Sequence, residues 1–150
     1  MTTVFIDADA CPVTREAIQT SRAQGASVVL IADSNTNLAK YVRSGVEAIN
    51  VTPGPDSADF AIVQRLQPRD IVVTQDIGVA AMALGRGAGA ISPRGRIFYM
   101  ATIDAELEVR HAEKRHRRQG GRTSGPSAFT EEDREHFVHS LERLLREGPR

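Results

Sequence analysis

The sequence has a single cysteine and no apolar run long enough to cross a bilayer. With only Cys11 available, an internal disulfide and a zinc site built from several thiolates are both excluded. The longest apolar runs, such as residues 28–32, are far shorter than the ~20 residues that a membrane-spanning helix needs. The N-terminus also lacks the basic start and long apolar stretch of a signal peptide. We therefore expect a cytoplasmic protein that does not contact a membrane.

Histidine is absent from the first hundred residues. A cysteine nucleophile needs a neighbouring base or another group that lowers its pKa, and no histidine is predicted near Cys11. Although Cys11 precedes a proline at a predicted helix start, lone cysteines are usually small core residues. We therefore interpret Cys11 as structural.

Charge is unevenly distributed although the formal net charge is zero. Residues 1–109 contain nine Arg and Lys against twelve Asp and Glu, whereas residues 110–150 contain ten against seven. The stretch at residues 110–122, RHAEKRHRRQGGR, has six Arg and Lys and one acid. A charge run is often only a solvated surface, but this asymmetry also indicates an anionic partner. We predict that RNA or another nucleic acid contacts four arginines there: Arg115, Arg117, Arg118 and Arg122.

The first hundred residues alternate short apolar runs with segments of helical periodicity. The apolar runs are continuous, which is typical of strands buried on both faces of a sheet. This order predicts a three-layer α/β fold with a mostly parallel sheet flanked by helices. The predicted strands are residues 3–6, 27–32, 47–51, 70–74, 88–92 and 96–99, and the predicted helices are residues 12–24, 36–43, 56–66 and 78–84.

The C-terminal part of the chain predicts two helices around a glycine-rich loop. Residues 102–118 place acids before bases, the order that the helix dipole favours. The loop QGGRTSGPS follows, and the next helix begins with the capping-box pattern of Thr130 and Asp133. Its apolar stripe should dock on the rest of the protein. We therefore predict an α/β domain at residues 1–109, on which the basic loop and C-terminal helix of residues 110–150 pack.

Acidic residues follow several of the predicted strands. Asp7 and Asp9 follow the first strand, Asp76 follows the fourth, and Asp59 lies in the helix after the third. Because the carboxyl ends of parallel strands share one edge of a sheet, these carboxylates should converge there. Their mutual repulsion is relieved by a hard cation such as Mg²⁺ or Mn²⁺. We predict these four residues as metal-binding and catalytic, and we expect Asp70 at the opposite edge.

Helix capping is the structural alternative for these residues. Asp7 and Asp9 could cap the helix that begins near Pro12, and Asp76 could cap the helix that follows it. Asp56 is interpreted as a helix N-cap and not as a ligand.

Four stretches of the sequence resemble a known family. These are the start IDADACPV, the element DSAD before a helix, the strand end VVTQD, and the tail RRQGGRTSGPSAFT. They resemble the uncharacterised bacterial YaiI/YqxD family (UPF0178 type), which is grouped with the PIN-like nuclease domains. The wider resemblance implies a parallel sheet and three or four acids that hold a divalent metal for phosphodiester cleavage.

The same resemblance assigns individual residues. It implies that Asp7 is the acid after the first strand, Asp59 the acid of the middle helix, and Asp76 the acid after the T-x-D strand. Where the PIN-like pattern has a fourth acid, this sequence has Ser92 and Arg94.

Three functions therefore stay open. The first is a divalent-metal-dependent phosphodiesterase, a PIN-like ribonuclease, of unassigned substrate. The second is a non-catalytic nucleic-acid-binding protein that uses residues 110–122. The third is a phosphatase of the haloacid-dehalogenase type, because DADAC resembles its opening motif with Asp7 as nucleophile. Such a phosphatase also needs a lysine before its last acidic motif, and neither Lys40 nor Lys114 is well placed for that role.

Overall fold

The computed structural model describes residues 1–9, 11–33, 35–43, 45–54, 57–122 and 127–149. Short strands alternate with helices up to residue 91, and two longer helices follow. The elements are β1 (Thr3–Asp7), α1 (Thr14–Ala23), β2 (Ser27–Asp33), β3 (Val46–Val51), α2 (Ser57–Arg65), β4 (Ile71–Val73), α3 (Ile77–Gly85), β5 (Gly89–Ile91), α4 (Met100–Arg118) and α5 (Glu131–Glu147).

The five strands form one parallel sheet in the order β3-β2-β1-β4-β5. The chain builds outward from β1 to β3, then returns to the other side of β1 to add β4 and β5. Strand order therefore reverses between β1 and β4, where Ile6 pairs with Val73. In open α/β sheets, ligands bind outside the carboxyl ends of the strands at such a reversal point.

Each face of the sheet carries its own hydrophobic core. Side chains alternate along β1, so Val4 and Ile6 pack in the core with α1 and α5, whereas Phe5 packs in the core with α2, α3 and α4. Burying an aliphatic or aromatic side chain contributes roughly 1.5–3 kcal/mol, so both layers stabilise the sheet substantially. The predicted three-layer α/β fold with a parallel sheet is confirmed.

Helix α5 docks as its apolar stripe predicts. Thr130 Oγ1 accepts from the Asp133 backbone N–H at 3.1 Å, and Asp133 Oδ2 accepts from the Thr130 N–H at 3.0 Å, which completes the capping box. Phe137, Leu141 and Leu144 are buried in the core shared with α1. The docking is therefore driven by burial of one helix face, and the box fixes where the helix starts.

The helix predicted at residues 36–43 and the strand predicted at residues 96–99 do not form as such. Residues 36–43 contain only a 3₁₀ turn at Ala39–Tyr41, because Leu38 is the sole buried residue there and the Asn37 side chain accepts from the Ala39 N–H. Residues 96–99 form one antiparallel bridge, between Ile97 and Ile91, and no full strand. In the part of the chain that the structure describes, no helix is long and apolar enough to span a membrane.

Candidate active site

The carboxyl ends of β1 and β4 border a cavity of about 290 Å³. Asp7 is the last residue of β1, and Asp9 and Asp76 lie in the loops that follow β1 and β4. We call this space the Asp7 cavity; its lining residues are Asp7, Asp9, Cys11, Gln75, Asp76 and Pro93. Three of the four predicted carboxylates therefore share one small space.

Asp7 carries negative charge that its surroundings do not balance. Its Oδ2 accepts from Thr74 Oγ1 at 3.4 Å, a long hydrogen bond. Burial, followed by the charges of Asp9 and Asp76, raises the pKa of Asp7 from 3.8 to about 6, although the Thr74 hydroxyl favours the ionised form. A cation placed here would relieve that repulsion.

Asp9 accepts hydrogen bonds on both carboxylate oxygens from the end of β2 and the loop that follows it. Oδ1 accepts from Thr36 Oγ1 at 2.7 Å, and Oδ2 accepts from the Asp33 backbone N–H at 3.1 Å. Asp9 thus ties the loop after β1 to the loop after β2. It also keeps a second negative charge beside Asp7.

The capping alternative fails for Asp7 and Asp9. Helix α1 begins at Thr14 with Val13 as its N-cap, and no side chain caps it. Neither aspartate is therefore explained by the N-terminus of that helix.

Asp76 is a helix cap and also lines the cavity. Its Oδ1 accepts from the backbone N–H groups of Gly78 at 2.8 Å and Val79 at 3.2 Å, so it caps α3. Within the described residues, Asp76 Oδ2 accepts no hydrogen bond. One oxygen of Asp76 therefore holds the helix while the other is available to a ligand.

Thr74 links Asp7 to Asp76. This threonine is buried, and its Oγ1 donates to Asp7 while accepting from the Asp76 backbone N–H at 3.0 Å. Sequence reasoning missed Thr74 as a functional residue. Its position between an apolar strand and an acid was the available signal.

Asp59 is partly buried in the first turn of α2 and is not among the residues that line this cavity. Asp56, interpreted as the cap of that helix, lies outside the described residues.

Asp70 is at the opposite edge of the sheet, as expected. It is 5% exposed and accepts from the backbone N–H groups of Thr3 and Gln67, both at 3.0 Å. The site prediction therefore brings three of its four acids together.

A metal ion here would have few protein ligands. Across the described ranges, no group of three or more His, Cys, Asp or Glu side chains has the geometry to hold one. Asp7 and Asp76 fit a sparser arrangement, because Mg²⁺ is usually bound through one or two carboxylates together with substrate phosphates. Metal binding by all four predicted acids stays a prediction.

Cys11 lines the same cavity but is poorly suited to act as a nucleophile. Burial is the main cause that raises the pKa of its thiol, and the charges of Asp7 and Glu16 raise it further. The thiol form is therefore favoured over the reactive thiolate.

The chain also has recognisable relatives. Residues 5–147 match the family described as "Uncharacterized BCR, YaiI/YqxD family". The chain belongs to the YaiI/YqxD family. It is 44% identical to a UPF0178 protein of Exiguobacterium sibiricum over 144 residues, which cover 96% of each chain. The family prediction made from the sequence is therefore confirmed.

Two further relatives cover nearly the same span. A UPF0178 protein of Xanthomonas oryzae pv. oryzae is 42% identical over 149 residues, covering 98% of this chain and 91% of that protein. A UPF0178 protein of Parvibaculum lavamentivorans is 39% identical over 142 residues, covering 95% and 92%. No solved structure gives a significant match. The similarity to the YaiI/YqxD family thus extends over the whole α/β fold and α5.

The four predicted nucleic-acid-binding arginines lie away from the Asp7 cavity. Arg115, Arg117 and Arg118 are in the last turns of α4, Arg122 follows in the loop, and all four are exposed. Only Ile103 is buried among the residues of α4, so most of the helix surface faces solvent. The structure therefore makes these arginines accessible without placing them in the acidic cavity.

A larger concave surface adjoins the acidic cavity. Between α4 and the loops after β4 and β5 runs a groove formed by two adjoining cavities of about 760 Å³ and 450 Å³, which share Gln75, Ile77, Arg96 and Arg110. We call this the α4 groove. Arg110 belongs to the basic stretch predicted from the sequence, whereas Arg94 and Arg96 were missed as binding residues, although the PRGR stretch that begins two residues after β5 was a signal.

Proposed function

We propose that this YaiI/YqxD-family protein is a divalent-metal-dependent phosphodiesterase, a PIN-like ribonuclease that cleaves RNA or another nucleic acid. The observation that carries the proposal is the meeting of Asp7, Asp9 and Asp76 in one cavity at the reversal point of a parallel sheet. The raised pKa of Asp7, to about 6, adds support: burial is its main cause, and the neighbouring charges of Asp9 and Asp76, which a cation would offset, raise it further.

The residues of the cavity have separate roles in this proposal. Asp7 and the free Oδ2 of Asp76 would hold Mg²⁺ or Mn²⁺, and Thr74 positions both residues. Asp9 contributes negative charge while its oxygens fix the neighbouring loops. When bound, the ion orients water and stabilises negative charge on the phosphate in the transition state.

The substitution Asp76→Asn tests this proposal against simple helix capping. Asparagine caps helices about as well as aspartate, so α3 should keep its N-terminal hydrogen bonds. Removing the charge should weaken Mn²⁺ binding, measured by calorimetry, by at least about tenfold. Mn²⁺-dependent cleavage of a fluorescent single-stranded RNA should fall with it, while the melting temperature of the metal-free protein stays nearly unchanged.

Asp104→Asn is the matched control, because Asp104 is an exposed acid on α4 that does not line the Asp7 cavity. This variant should bind Mn²⁺ and cleave RNA like the wild type. Wild-type protein that neither binds Mn²⁺ nor cleaves RNA or DNA would overturn the proposed function.

A second candidate function is nucleic-acid binding without catalysis. It is favoured by the exposure of four arginines on the last turns of α4 and in the loop that follows: Arg115, Arg117, Arg118 and Arg122. In that case RNA binding should weaken steeply with salt and should be indifferent to Mn²⁺ and to Asp7→Asn.

The phosphatase alternative has less support. Neither Lys40 nor Lys114 lines the Asp7 cavity. Lys40 lies in the 3₁₀ turn beside a separate cavity, and Lys114 lies on α4. A nucleophilic Asp7 would therefore lack the lysine that this chemistry needs.

A further inference from the structure

We infer that the α4 groove binds the phosphate backbone of a single nucleic-acid strand and leads it to the Asp7 cavity. Binding in the groove deepens the proposed phosphodiesterase function, and only the route to a cleavage site rests on that function. None of Arg115, Arg117, Arg118 and Arg122 lines the groove. Its accessible cations are Arg96, in the loop after β5, and Arg110, the first residue of the basic run on α4.

The groove and the Asp7 cavity adjoin each other. Gln75 lines the acidic cavity and both parts of the groove, and Pro93 lines the acidic cavity and the smaller part. Gln75 directly precedes Asp76, and Pro93 lies two residues after the end of β5. A chain lying in the groove would therefore pass over the Gln75 side chain to reach the carboxylates.

One face of α4 forms the outer wall. Thr102, Glu106, Val109, Arg110 and Glu113 line the larger part of the groove. Their spacing of mostly three or four residues is that of one helix face. Arg115 does not line the groove, so basic residues on the same helix differ in their access to it.

The arginines of the groove differ in the ion pairs and hydrogen bonds that their side chains already form. Arg94 is held by Asp133 at 3.0 Å and by Ser127, so it fastens the β5 loop to α5. Arg96 forms an ion pair with Glu106 across the groove. Among the described residues Arg110 forms no ion pair, and its side chain is exposed. Arg110 and Arg96 are therefore the cations that a phosphate could reach.

The Arg96–Glu106 pair makes the groove responsive to an anion. The Arg96 side chain is 64% exposed, whereas that of Glu106 is 16% exposed. A phosphate can approach the exposed guanidinium and compete with the carboxylate for it, because arginine binds both groups in the same two-pronged geometry. Glu106 would then weaken binding by competition and by repulsion.

The dimensions favour one strand over two. The Asp7 cavity, at about 290 Å³, is near the lower limit of pockets that hold a drug-sized ligand. Such a space admits a phosphate with part of its sugar, but a duplex presents two strands together. Recognition through phosphates also predicts little dependence on base sequence.

Binding without cleavage tests the groove directly. The probe is a fluorescein-labelled oligouridylate of about six nucleotides, measured by anisotropy with the full-length protein in EDTA. Arg110→Gln should weaken binding about fivefold to tenfold, and the slope of log K against log salt should become about 0.7 less steep. Glu106→Gln should tighten binding several-fold, a gain that loss of a merely structural ion pair would not produce.

Arg86→Gln is the matched control. Arg86 is an exposed arginine at the end of α3, near the amino end of β5, and its loss changes the net charge equally. Binding by this variant should equal that of the wild type.

Three results would overturn the proposal that the groove binds a single strand. These are no binding by the wild type, equal losses of affinity in the Arg110→Gln and Arg115→Gln variants, or equal affinity for a duplex of the same length. Cleavage by the wild type together with unchanged binding by Arg110→Gln would reject the groove while leaving the proposed function standing. Binding that depends on Arg110 without any metal-dependent cleavage would support the groove and reject the proposed function.

Discussion

Asp7 and Asp70 lie at opposite edges of the same sheet, and their surroundings differ in kind. Asp70, at the amino edge, is buried but accepts backbone N–H groups from Thr3 and Gln67, one on each oxygen. Asp7, at the carboxyl edge, accepts a long hydrogen bond from Thr74. The backbone N–H of Asp9 also favours its ionised form, but Asp7 faces the charges of Asp9 and Asp76. Satisfied hydrogen bonds make Asp70 a stabilising residue, whereas Asp7 is held in a repulsive cluster.

This difference separates structural acids from candidate functional ones. A buried carboxylate with matched donors needs no ligand, since its charge is already stabilised. A carboxylate kept beside two others costs stability unless something binds there. Residue type alone would not distinguish Asp7 from Asp70, but their hydrogen-bond partners do.

The largest expected effect is on catalysis at the carboxyl edge. Asp7→Asn should lower Mn²⁺-dependent RNA cleavage by about a thousandfold, because it removes a predicted metal ligand. Asp70→Asn should leave kcat and KM within about twofold at temperatures where it is folded, since the two sites are at opposite edges. Equal activity losses in a steady-state assay would show that Asp7 also acts through the fold.

Gly95→Ala should disrupt the support of the carboxyl edge. A Cβ at Gly95 would lie 2.7 Å from the backbone carbonyl carbon of His136 and the backbone nitrogen of Phe137, and φ there is +90°. We expect a loss of about 2–4 kcal/mol in the free energy of unfolding by urea. Gly25→Ala, with φ +79° and no atom within 4 Å of the new Cβ, should lose only about 1 kcal/mol. Equal losses of unfolding free energy in the two variants would mean that the close packing of this loop on α5 does not contribute to stability.

Asp70→Asn should destabilise the amino edge. The amide oxygen can accept only one of the two backbone N–H groups, which leaves the other facing an NH₂ group in a buried position. We expect a loss of about 2 kcal/mol in the free energy of unfolding, measured with urea. Asp104→Asn at an exposed position should change it by less than about 0.5 kcal/mol. A neutral Asp70→Asn would contradict the structural role.

The smallest effect is the pH dependence due to Asp7 in the metal-free protein. Its pKa is about 6 in the folded state against an ordinary value of 3.8, so the folded protein binds this proton more tightly than the unfolded chain. The free energy of unfolding should therefore fall as pH rises from about 4 to about 6, by about 1–2 kcal/mol after allowance for partial solvent exposure.

Urea titrations in EDTA at several pH values check this effect. The wild type should lose stability as pH rises, whereas Asp7→Asn lacks this titrating group. The variant should therefore become more stable relative to the wild type as pH rises. Parallel curves for the two proteins would show that the repulsion at Asp7 is already screened.

The layers of the fold could be predicted from local patterns. Continuous apolar runs such as residues 28–32, together with helical periodicity between them, indicated a parallel sheet covered on both faces, and the Thr130 capping box located the start of α5. These features depend on neighbours within a few residues, so the sequence displays them directly. The predicted helix at residues 36–43 failed because its side chains bond to other segments: Thr36 donates to Asp9.

The sequence by itself determined the α/β fold, the family and the placement of acids behind strands. The tertiary structure decided which acids share the cavity: strand order sets β4 beside β1, so Asp76 joins Asp7, while Asp59 on α2 does not line it. It also brought Arg96 and Arg110 to one groove beside that site. Contacts between distant segments depend on how helices and strands pack in three dimensions, and no local pattern encodes them.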